Sequence, residues 1–297
     1  MVDFHTHSNI SDGDLSPEML VKEAVGQGLS AIALTDHDTI NGLESAKNAA
    51  MQANVNGASF RLIPGIEINI NWTGNKNIPG LGPGGEFHLL GLGINSPSPA
   101  FLSAIRELSR RREERNREIL EKMHELSIDV TWEEFLAMSE SSHSLGRPHF
   151  AALLVKRKIV KSLKLAFDKY LGVGKPLYVP KVGLAFEEAV ALIRESGGLP
   201  ILAHPVSLYI AWGRLPDLVK LLKDMGLAGL EAWHPVAKSG SCRRLEAMAK
   251  SLDLYVTEGS DFHGLLSPDR KLGYSNKGRK ISNAVFEAIP ELAKGNL

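Results

Sequence analysis

Side chains of the kind that bind metals recur at the ends of apolar strands, and this constrains the fold more than any other feature. Six segments with strand character each carry a histidine, aspartate or glutamate at or just past their C-terminal ends. These residues are His5 and His7, Asp36 and His37, Glu67, His88, His204, and Asp261 and His263. In barrels of alternating strands and helices, that end of the sheet is where active sites form. The pattern therefore predicts one shared site.

The chemistry of these side chains narrows the kind of site. Imidazole and carboxylate ligands without thiolates suit Zn, Mn, Fe or Mg ions in hydrolytic chemistry. More than four candidate ligands imply more than one ion. His5 and His7 show the expected spacing, because residues i and i+2 of a strand point to the same face. This pair alone could be a coincidence, and the other strand ends make a metal site the stronger interpretation.

Strand and helix signals alternate over 1–97 and again over 182–297. Helices between the strands begin with recognisable caps, for example at Ser16-Pro17-Glu18. The alternation predicts an α/β fold with a parallel sheet and helical crossovers. Residues 71–85 interrupt it with many Gly, Asn and Pro residues, which predicts a long loop and a candidate lid.

Residues 98–181 follow a different pattern and are predicted to form an inserted helical domain. Apolar residues recur at helical spacing over 100–127, which predicts one long amphipathic helix. Further helices are predicted over 132–138 and 148–171, and a strand signal returns only at 177–180.

The same insertion carries an excess of positive charge. Between 141 and 181 there are nine Lys or Arg residues and one acid, Asp168, in a chain whose formal net charge is zero. This excess predicts a surface that attracts an anion. A solvated helical face rich in lysine is the alternative.

The composition, 43% hydrophobic and 23% charged, is that of a soluble globular protein. One cysteine, Cys242, excludes a disulfide framework and a thiolate metal cluster, which fits a reducing cytoplasm. Apolar runs fall short of the ~18 residues that a membrane span needs. Because a strand is predicted from residue 2, we expect no cleavable signal peptide, no membrane association and a cytoplasmic location. No obligate protein partner is expected.

Several motifs together resemble those of the PHP (polymerase and histidinol phosphatase) superfamily. They are His5-Thr6-His7, Ser11-Asp12-Gly13, Thr35-Asp36-His37-Asp38, Pro64-Gly65-Ile66-Glu67, Ala203-His204-Pro205 and Gly259-Ser260-Asp261-Phe262-His263. The resemblance implies a distorted (β/α)7 barrel, here over 1–97 and 182–297, with the helical domain 98–181 inserted. It also implies a cluster of two to three divalent metal ions, with manganese favoured.

Motifs in the insertion resemble a narrower branch, the nucleoside 3′,5′-bisphosphate phosphatases and the bacterial 5′-to-3′ exoribonuclease. They are Arg111-Arg112-Glu113-Glu114-Arg115-Asn116, Gly146-Arg147-Pro148-His149-Phe150, Lys169-Tyr170-Leu171-Gly172, Lys175-Pro176 and Tyr178-Val179-Pro180. The chain departs from this branch in the length of 71–85. It also departs in Val206-Ser207-Leu208-Tyr209, where an arginine is expected.

Carried over residue by residue, the resemblance implies three metal sites. The first would use His5, His7, Glu67 and Asp261, and the second Glu67, His88 and His204. The third would use Asp12, His37 and His263. A carboxylate that bridges two cations suits in-line displacement at phosphorus, with a metal-bridging hydroxide as the nucleophile.

A phosphoesterase also needs cationic groups beside the phosphate, because negative charge accumulates on its oxygens. Arg147 is the predicted clamp, since a guanidinium matches the geometry of phosphate. His149 is its predicted partner and a candidate proton donor to the leaving group. Asp261, Arg147 and His149 are the predicted catalytic residues, and Arg147, His149 and His234 the predicted substrate contacts. A surface ion pair and a structural histidine are the alternatives for Arg147 and His149.

These observations predict a metal-dependent phosphatase or exoribonuclease that acts on a nucleoside 3′,5′-bisphosphate or on short RNA. A histidinol-phosphate or other small-metabolite phosphatase is the enzymatic alternative. A metal-bound nucleic-acid-binding module without catalysis is the alternative from a different class. Glu231 and His234 also sit at a strand end, and their roles stay open between orientation of ligands, contact with substrate and no role in the site.

Overall fold

The structure is a computed structural model that describes residues 1–72, 85–138, 145–180 and 183–293. Its centre is a seven-stranded sheet in which the strands lie in chain order. The strands are β1 (Val2–Thr6), β2 (Ala31–Leu34), β3 (Arg61–Asn69), β4 (His88–Leu92), β5 (Leu199–Leu202), β6 (Gly229–Trp233) and β7 (Tyr255–Glu258). The first and last strands approach each other, and the backbone N–H of His7 donates to the carbonyl of Phe262 at 2.9 Å. The sheet is therefore nearly closed into a barrel, as predicted.

The sheet is mixed, and one strand departs from the predicted parallel arrangement. β4 runs antiparallel to both β3 and β5. A parallel neighbour would need a helical crossover, and the described part of the connection from β3 to β4 contains no helix. His88 is consequently the first residue of β4 and not the last, and it pairs with Asn69 at the end of β3. The reversal still brings His88 to the edge where the other strands end.

Helices cover the outside of the barrel and pack their apolar sides on it. They are α1 (Pro17–Gly26), α2 (Leu43–Val55), α7 (Phe186–Glu195), α8 (Leu215–Asp224), α9 (Ser239–Ser251), α10 (Asn283–Glu287) and α11 (Pro290–Ala293). The predicted cap of α1 is present, with the Ser16 hydroxyl accepting from the Met19 N–H at 3.3 Å. No helix in the described residues is long and apolar enough to cross a membrane.

The inserted segment forms α3 (Pro99–Glu125), α4 (Trp132–Leu136), α5 (Arg147–Lys156) and α6 (Leu163–Ala166), and a π-helical turn (Phe167–Leu171) follows. The single helix predicted over 148–171 was wrong, because Lys158 has a positive φ of 59° and ends α5. The Ser162 hydroxyl then caps α6.

The strand signal at 177–180 was also wrong. Among the described residues, this segment pairs with no strand of the sheet. Its backbone groups bond elsewhere: the Leu177 N–H donates to the carbonyl of Tyr170, and the Val179 carbonyl accepts from the Arg115 guanidinium.

Two hydrophobic cores meet along α3. Phe101, Ile105 and Leu108, in its first half, pack with the largest core of the barrel. Ile119 and Met123, in its second half, belong to a separate core of the insertion. The division at 98 and 181 stays a prediction, and α3 crosses it as one continuous helix that carries residues of both parts.

Candidate active site

Glu67 is the hub of the site and is almost completely buried. Its Oε1 lies 2.8 Å from His88 Nδ1 and 2.9 Å from His204 Nε2. Its Oε2 lies 3.0 Å from His37 Nδ1 and 3.3 Å from the Nε2 atoms of both His5 and His7. Five imidazoles thus converge on one carboxylate, two from strands (His5 in β1 and His88 in β4) and three from the loops that follow β1, β2 and β5.

Asp261 and Asp12 extend this cluster on either side. Asp261 Oδ1 lies 3.2 Å from His7 Nε2 and 3.4 Å from His5 Nε2. Asp12 Oδ1 lies 3.2 Å from His263 Nε2, and Asp12 Oδ2 lies 3.7 Å from His37 Nε2. Asp261 therefore shares His5 and His7 with Glu67, and Asp12 lies between His37 and His263.

The backbone at the site holds unusual conformations. Asp38, His204 and Asp261 have positive φ angles of 52°, 25° and 51°. Non-glycine residues with such angles cluster where the surrounding structure forces a side chain into position. Here the conformation directs the side chains of His204 and Asp261 toward the hub.

Several polar atoms of the cluster are buried without a hydrogen-bond partner. They are His5 Nε2, His7 Nε2, Asp12 Oδ1, His37 Nδ1 and Glu67 Oε2. Leaving such groups unpaired costs about 1–3 kcal/mol each. All five belong to predicted metal ligands, and their ligand atoms lie within 4.8 Å of one another in overlapping groups. The donor set of imidazole and carboxylate atoms fits hard or borderline divalent cations.

The pKa values of the cluster also reflect the close approach of imidazoles and carboxylates. Burial acts to raise the pKa of Glu67, but His37, His88 and His5 outweigh it and hold the pKa well below its usual range. Burial acts to lower the pKa of His7, but Asp261 and Glu67 raise it to about 10. Without cations, the carboxylates thus take their compensating charge from protonated imidazoles.

The structure brings all nine predicted ligands into this cluster. The grouping differs in detail from the three predicted sets, because His7 lies with Asp12, His37 and His263, and His37 also lies with Glu67 and His88. The assignment of residues to individual ions stays a prediction.

Glu231 has a clear structural role that the sequence left open. One oxygen accepts from His5 Nδ1 at 3.0 Å, and the other accepts from the backbone N–H of His204 at 2.7 Å. Fixing the Nδ1 proton leaves Nε2 of His5 to face Glu67 and Asp261, as a ligand requires. The available signal was a buried acidic residue in β6, two residues before the strand ends.

His234 and Arg270 both hold Asp261. His234 Nε2 lies 3.1 Å from Asp261 Oδ2, while Nδ1 accepts from the Val236 N–H at 3.3 Å. Arg270 Nη1 donates to the same carboxylate and to the Asp261 carbonyl. Sequence reasoning did not identify Arg270, because only the path of the chain after β7 brings it back to Asp261.

Asp36 and Asp38 support the loops around the cluster. Asp36 accepts from the Ser8 N–H at 2.8 Å and from the Ser11 hydroxyl at 2.6 Å. Asp38 accepts from the Asn69 N–H at 2.9 Å and pairs with Arg112 of α3. Asp38 therefore joins the barrel edge to the insertion.

A cavity of about 910 Å³ opens over the cluster. Its polar floor includes Glu67, Asp261 and His263, and apolar side chains of Leu163, Val206 and other residues line its sides. Its size is in the range of small-molecule sites. The cavity lies between the barrel edge and α5 and α6 of the insertion.

The predicted substrate residues lie at this interface. Arg147 pairs with the half-exposed Glu86 at 3.2 Å and lies over the Phe167 ring. His149 lines the cavity, and its Nδ1 accepts from the Gly146 N–H at 3.1 Å. Burial lowers the pKa of His149. It is therefore neutral near pH 7, with the proton on Nε2.

Trp72 and His124 lie outside the cluster. Trp72 packs against Phe87 and Phe186. His124 donates to the carbonyl of Val130 at 2.8 Å and is half exposed. The central part of the predicted loop 71–85 lies outside the described residues.

Comparison with known proteins identifies relatives over most of the chain. The sequence is 32% identical over 261 residues to the 5′-3′ exoribonuclease Rnm of Salmonella typhimurium, covering 88% of this chain and 84% of that protein. It is 30% identical over 288 residues to the 3′,5′-nucleoside bisphosphate phosphatase of Chromobacterium violaceum, covering 97% of this chain and 96% of that protein.

A solved structure shares the fold. It comes from Chromobacterium violaceum and is described as an amidohydrolase with bound sulfate and no metal. It has a TM-score of 0.81 and 27% identity, and it covers 97% of this chain and 96% of its own. The model of the PHP domain family matches residues 3–173. The chain therefore belongs to the PHP family and is a metal-dependent hydrolase of phosphoester bonds.

Proposed function

We propose that the protein hydrolyses phosphate esters of nucleotides that carry a 5′-phosphate, either a nucleoside 3′,5′-bisphosphate or short RNA from its 5′ end. The observation that carries the proposal is the buried Glu67, surrounded by five imidazoles below a cavity of about 910 Å³. The names of the two relatives support this substrate class. The sulfate in the related structure supports a site for tetrahedral anions.

Three divalent cations are proposed, with manganese favoured. His5, His7, Glu67 and Asp261 would hold the first, and Glu67, His88 and His204 the second. Asp12, His37 and His263 would hold the third. When bound, such cations supply Lewis-acid charge for phosphoryl oxygens and lower the pKa of water toward neutrality.

The protein's own side chains would orient the substrate. Arg147 would donate to phosphate oxygens after giving up Glu86, its half-exposed partner. His149, neutral with its proton on Nε2, would donate a hydrogen bond to an ester oxygen at the leaving side. His234 has both ring nitrogens engaged, which supports a positioning role toward Asp261 and not a direct contact with substrate.

A substrate panel tests the proposal. Purified protein loaded with manganese is incubated with adenosine 3′,5′-bisphosphate and with a 5′-phosphorylated oligoribonucleotide, and free phosphate and mononucleotide are measured. We expect release from at least one of them and none with Asp261→Asn. Release from neither would refute the proposal.

Adding histidinol phosphate to this panel separates the proposed function from its alternatives. Release from histidinol phosphate alone would identify a small-metabolite phosphatase. Metal analysis that finds fewer than two ions per chain, together with tight RNA binding and no hydrolysis, would identify a non-catalytic module. The relative hydrolysis of bisphosphate and RNA would decide between the two nucleotide substrates.

A further inference from the structure

Arg270 lines the large cavity and contacts the Asp261 carboxylate from outside the set of predicted ligands. Its side chain is 25% exposed. It lies in the segment that follows β7, where its own N–H donates to the Ser267 carbonyl at 2.9 Å. In the same segment, the Leu265 N–H donates to the Asp14 carboxylate at 2.6 Å, which ties the segment to the loop after β1. Arg270 therefore approaches Asp261 from an anchored turn, and the proposed function gives it no role.

The two carboxylate oxygens of Asp261 have different surroundings. Oδ1 lies 3.2 Å from His7 Nε2 and 3.4 Å from His5 Nε2, so it faces other predicted ligands. Oδ2 accepts from Arg270 Nη1 and lies 3.1 Å from His234 Nε2. One oxygen is thus directed into the ligand cluster, and the other is engaged by two donors that are not predicted ligands.

The same nitrogen of Arg270 also holds the backbone of Asp261. Nη1 carries two hydrogens, and besides Oδ2 it donates to the Asp261 carbonyl at 3.1 Å. His263 Nδ1 donates to this carbonyl as well, at 2.8 Å. Asp261 has a φ of 51°, which a non-glycine residue keeps where its surroundings impose it. Arg270 therefore fixes both the backbone of Asp261 and one end of its carboxylate, and this opposes rotation of the carboxylate.

Its positive charge distinguishes Arg270 from the other groups that support the ligands. Glu231 accepts from Nδ1 of His5, which leaves the ligand nitrogen free for a cation. Arg270 is itself a cation, and it draws on the carboxylate charge that a divalent ion would also use. His234 offers the same oxygen one N–H of a ring whose other nitrogen accepts a hydrogen bond, and a neutral donor is weaker than a charged one. Arg270 is therefore the stronger of the two groups that hold Oδ2.

We propose that Arg270 is a positioning residue that restricts Asp261 to one oxygen as a metal ligand and thereby keeps a coordination position open for the substrate. A carboxylate that binds through both oxygens takes two positions on a cation, whereas a catalytic metal needs one position for water or substrate. Arg270 acts through Asp261 and not on the substrate. The proposal rests on the metal site of the proposed function and assigns a role there to a residue that is not a ligand.

The test compares Arg270→Met, which removes the charge and the donors, with Arg270→Lys, which keeps both. One nitrogen makes both contacts to Asp261, so an ammonium group with three hydrogens is able to replace it. Lys271→Met is the matched control, because Lys271 is the next residue, is exposed and carries the same charge. Each protein is purified without metal and loaded with cobalt(II), whose visible absorption reports the number and arrangement of its ligands.

Arg270→Met should bind cobalt at least as tightly as the wild type in competition with a chelator, because the change removes a cation and releases Oδ2. Its absorption per bound cobalt should be weaker, since an added ligand brings cobalt closer to octahedral geometry, in which these bands are weak. The kcat for adenosine 3′,5′-bisphosphate should fall about 10- to 100-fold, with KM changed less than about 3-fold, because the open position is lost. Arg270→Lys should restore the absorption and kcat, and Lys271→Met should match the wild type.

Failure of this proposal and failure of the proposed function give different results. If the wild type binds cobalt but hydrolyses no nucleotide, the proposed function fails, and the absorption of the variants alone decides the role of Arg270. If Arg270→Met binds cobalt more weakly with an unchanged absorption per bound ion, Arg270 only stabilises the structure around Asp261 and the proposal is wrong.

A higher KM with an unchanged kcat in Arg270→Met would indicate direct contact with the substrate and would also overturn the proposal. Thermal unfolding shows whether each variant is folded. If Arg270→Met is not, Arg270→Gln takes its place with the same expected results, because the amide keeps a donor but not the charge.

Discussion

The metal-ligand cluster at the barrel edge and the arginines of the insertion beside it balance their charges in different ways. In the cluster, three carboxylates lie among six histidines, and Asp261 and Glu67 raise the pKa of His7 to about 10. In the insertion, Arg112 and Arg147 each pair with a carboxylate of the barrel edge, whereas Arg115 has no carboxylate partner among the described residues and donates to the Val179 carbonyl. The cluster therefore balances its charge internally, whereas the arginines depend on groups outside their own helices.

The largest effect is expected when the hub is changed. Glu67→Gln keeps the shape but removes the charge that five imidazoles share. Phosphatase activity should fall at least about 10³-fold, corresponding to about 4 kcal/mol. Metal content measured by mass spectrometry should fall as well. Glu44→Gln on the exposed side of α2 is the control, and full metal content in Glu67→Gln would contradict a hub that bridges cations.

The second prediction tests whether the barrel and the insertion unfold independently. Phe135 is fully buried in the core of the insertion and stacks on Phe150 with ring centroids 4.0 Å apart. Phe135→Ala should lower the free energy of unfolding of the insertion by about 3–5 kcal/mol, measured by denaturant titration. Metal content should stay at the wild-type value, because the ligands belong to the barrel. Loss of metal together with the insertion would show that the two regions fold as one unit.

The third prediction concerns the orientation of His5. Glu231→Gln weakens the acceptor that holds the Nδ1 proton of His5. Metal affinity, measured in competition with a chelator, should fall about 10- to 100-fold. The fold should stay intact, because the amide can still accept one hydrogen bond. Wild-type affinity would mean that the neighbouring ligands alone orient His5.

The last prediction concerns pH. In the metal-free protein, the pKa of His7 is raised from 6.5 to about 10, because Asp261 and Glu67 outweigh burial. Its contribution to stability is therefore fully present below about pH 6.5 and is lost as pH rises toward 10. The melting temperature of metal-free protein should decline over this window, and that of metal-loaded protein should not. If the melting temperatures of the metal-free and metal-loaded protein changed with pH in parallel, His7 would carry no extra proton in the metal-free fold.

The two regions also differ in how far the sequence predicts them. Eight of the nine predicted ligands could be identified because they stand at or near strand ends, which is a local signal in the chain, whereas Asp12 was predicted only from its motif, Ser11-Asp12-Gly13. The antiparallel direction of β4 could not be predicted, since it depends on the path of the chain between β3 and β4. The contacts of Arg112 with Asp38 and of Arg115 with the Val179 carbonyl could not be predicted either, because they depend on how the two halves of α3 pack in two separate cores.

The seam between β1 and β7 has a consequence for how the enzyme is made. Asp3 accepts from the backbone N–H of Ser260 at 3.0 Å, and these residues are 257 positions apart in the chain. On the ribosome, His5 and His7 therefore emerge long before Asp261, and during that time they form only half of a ligand set. Ion selection must be a late event in biosynthesis, after the last strand has closed the barrel.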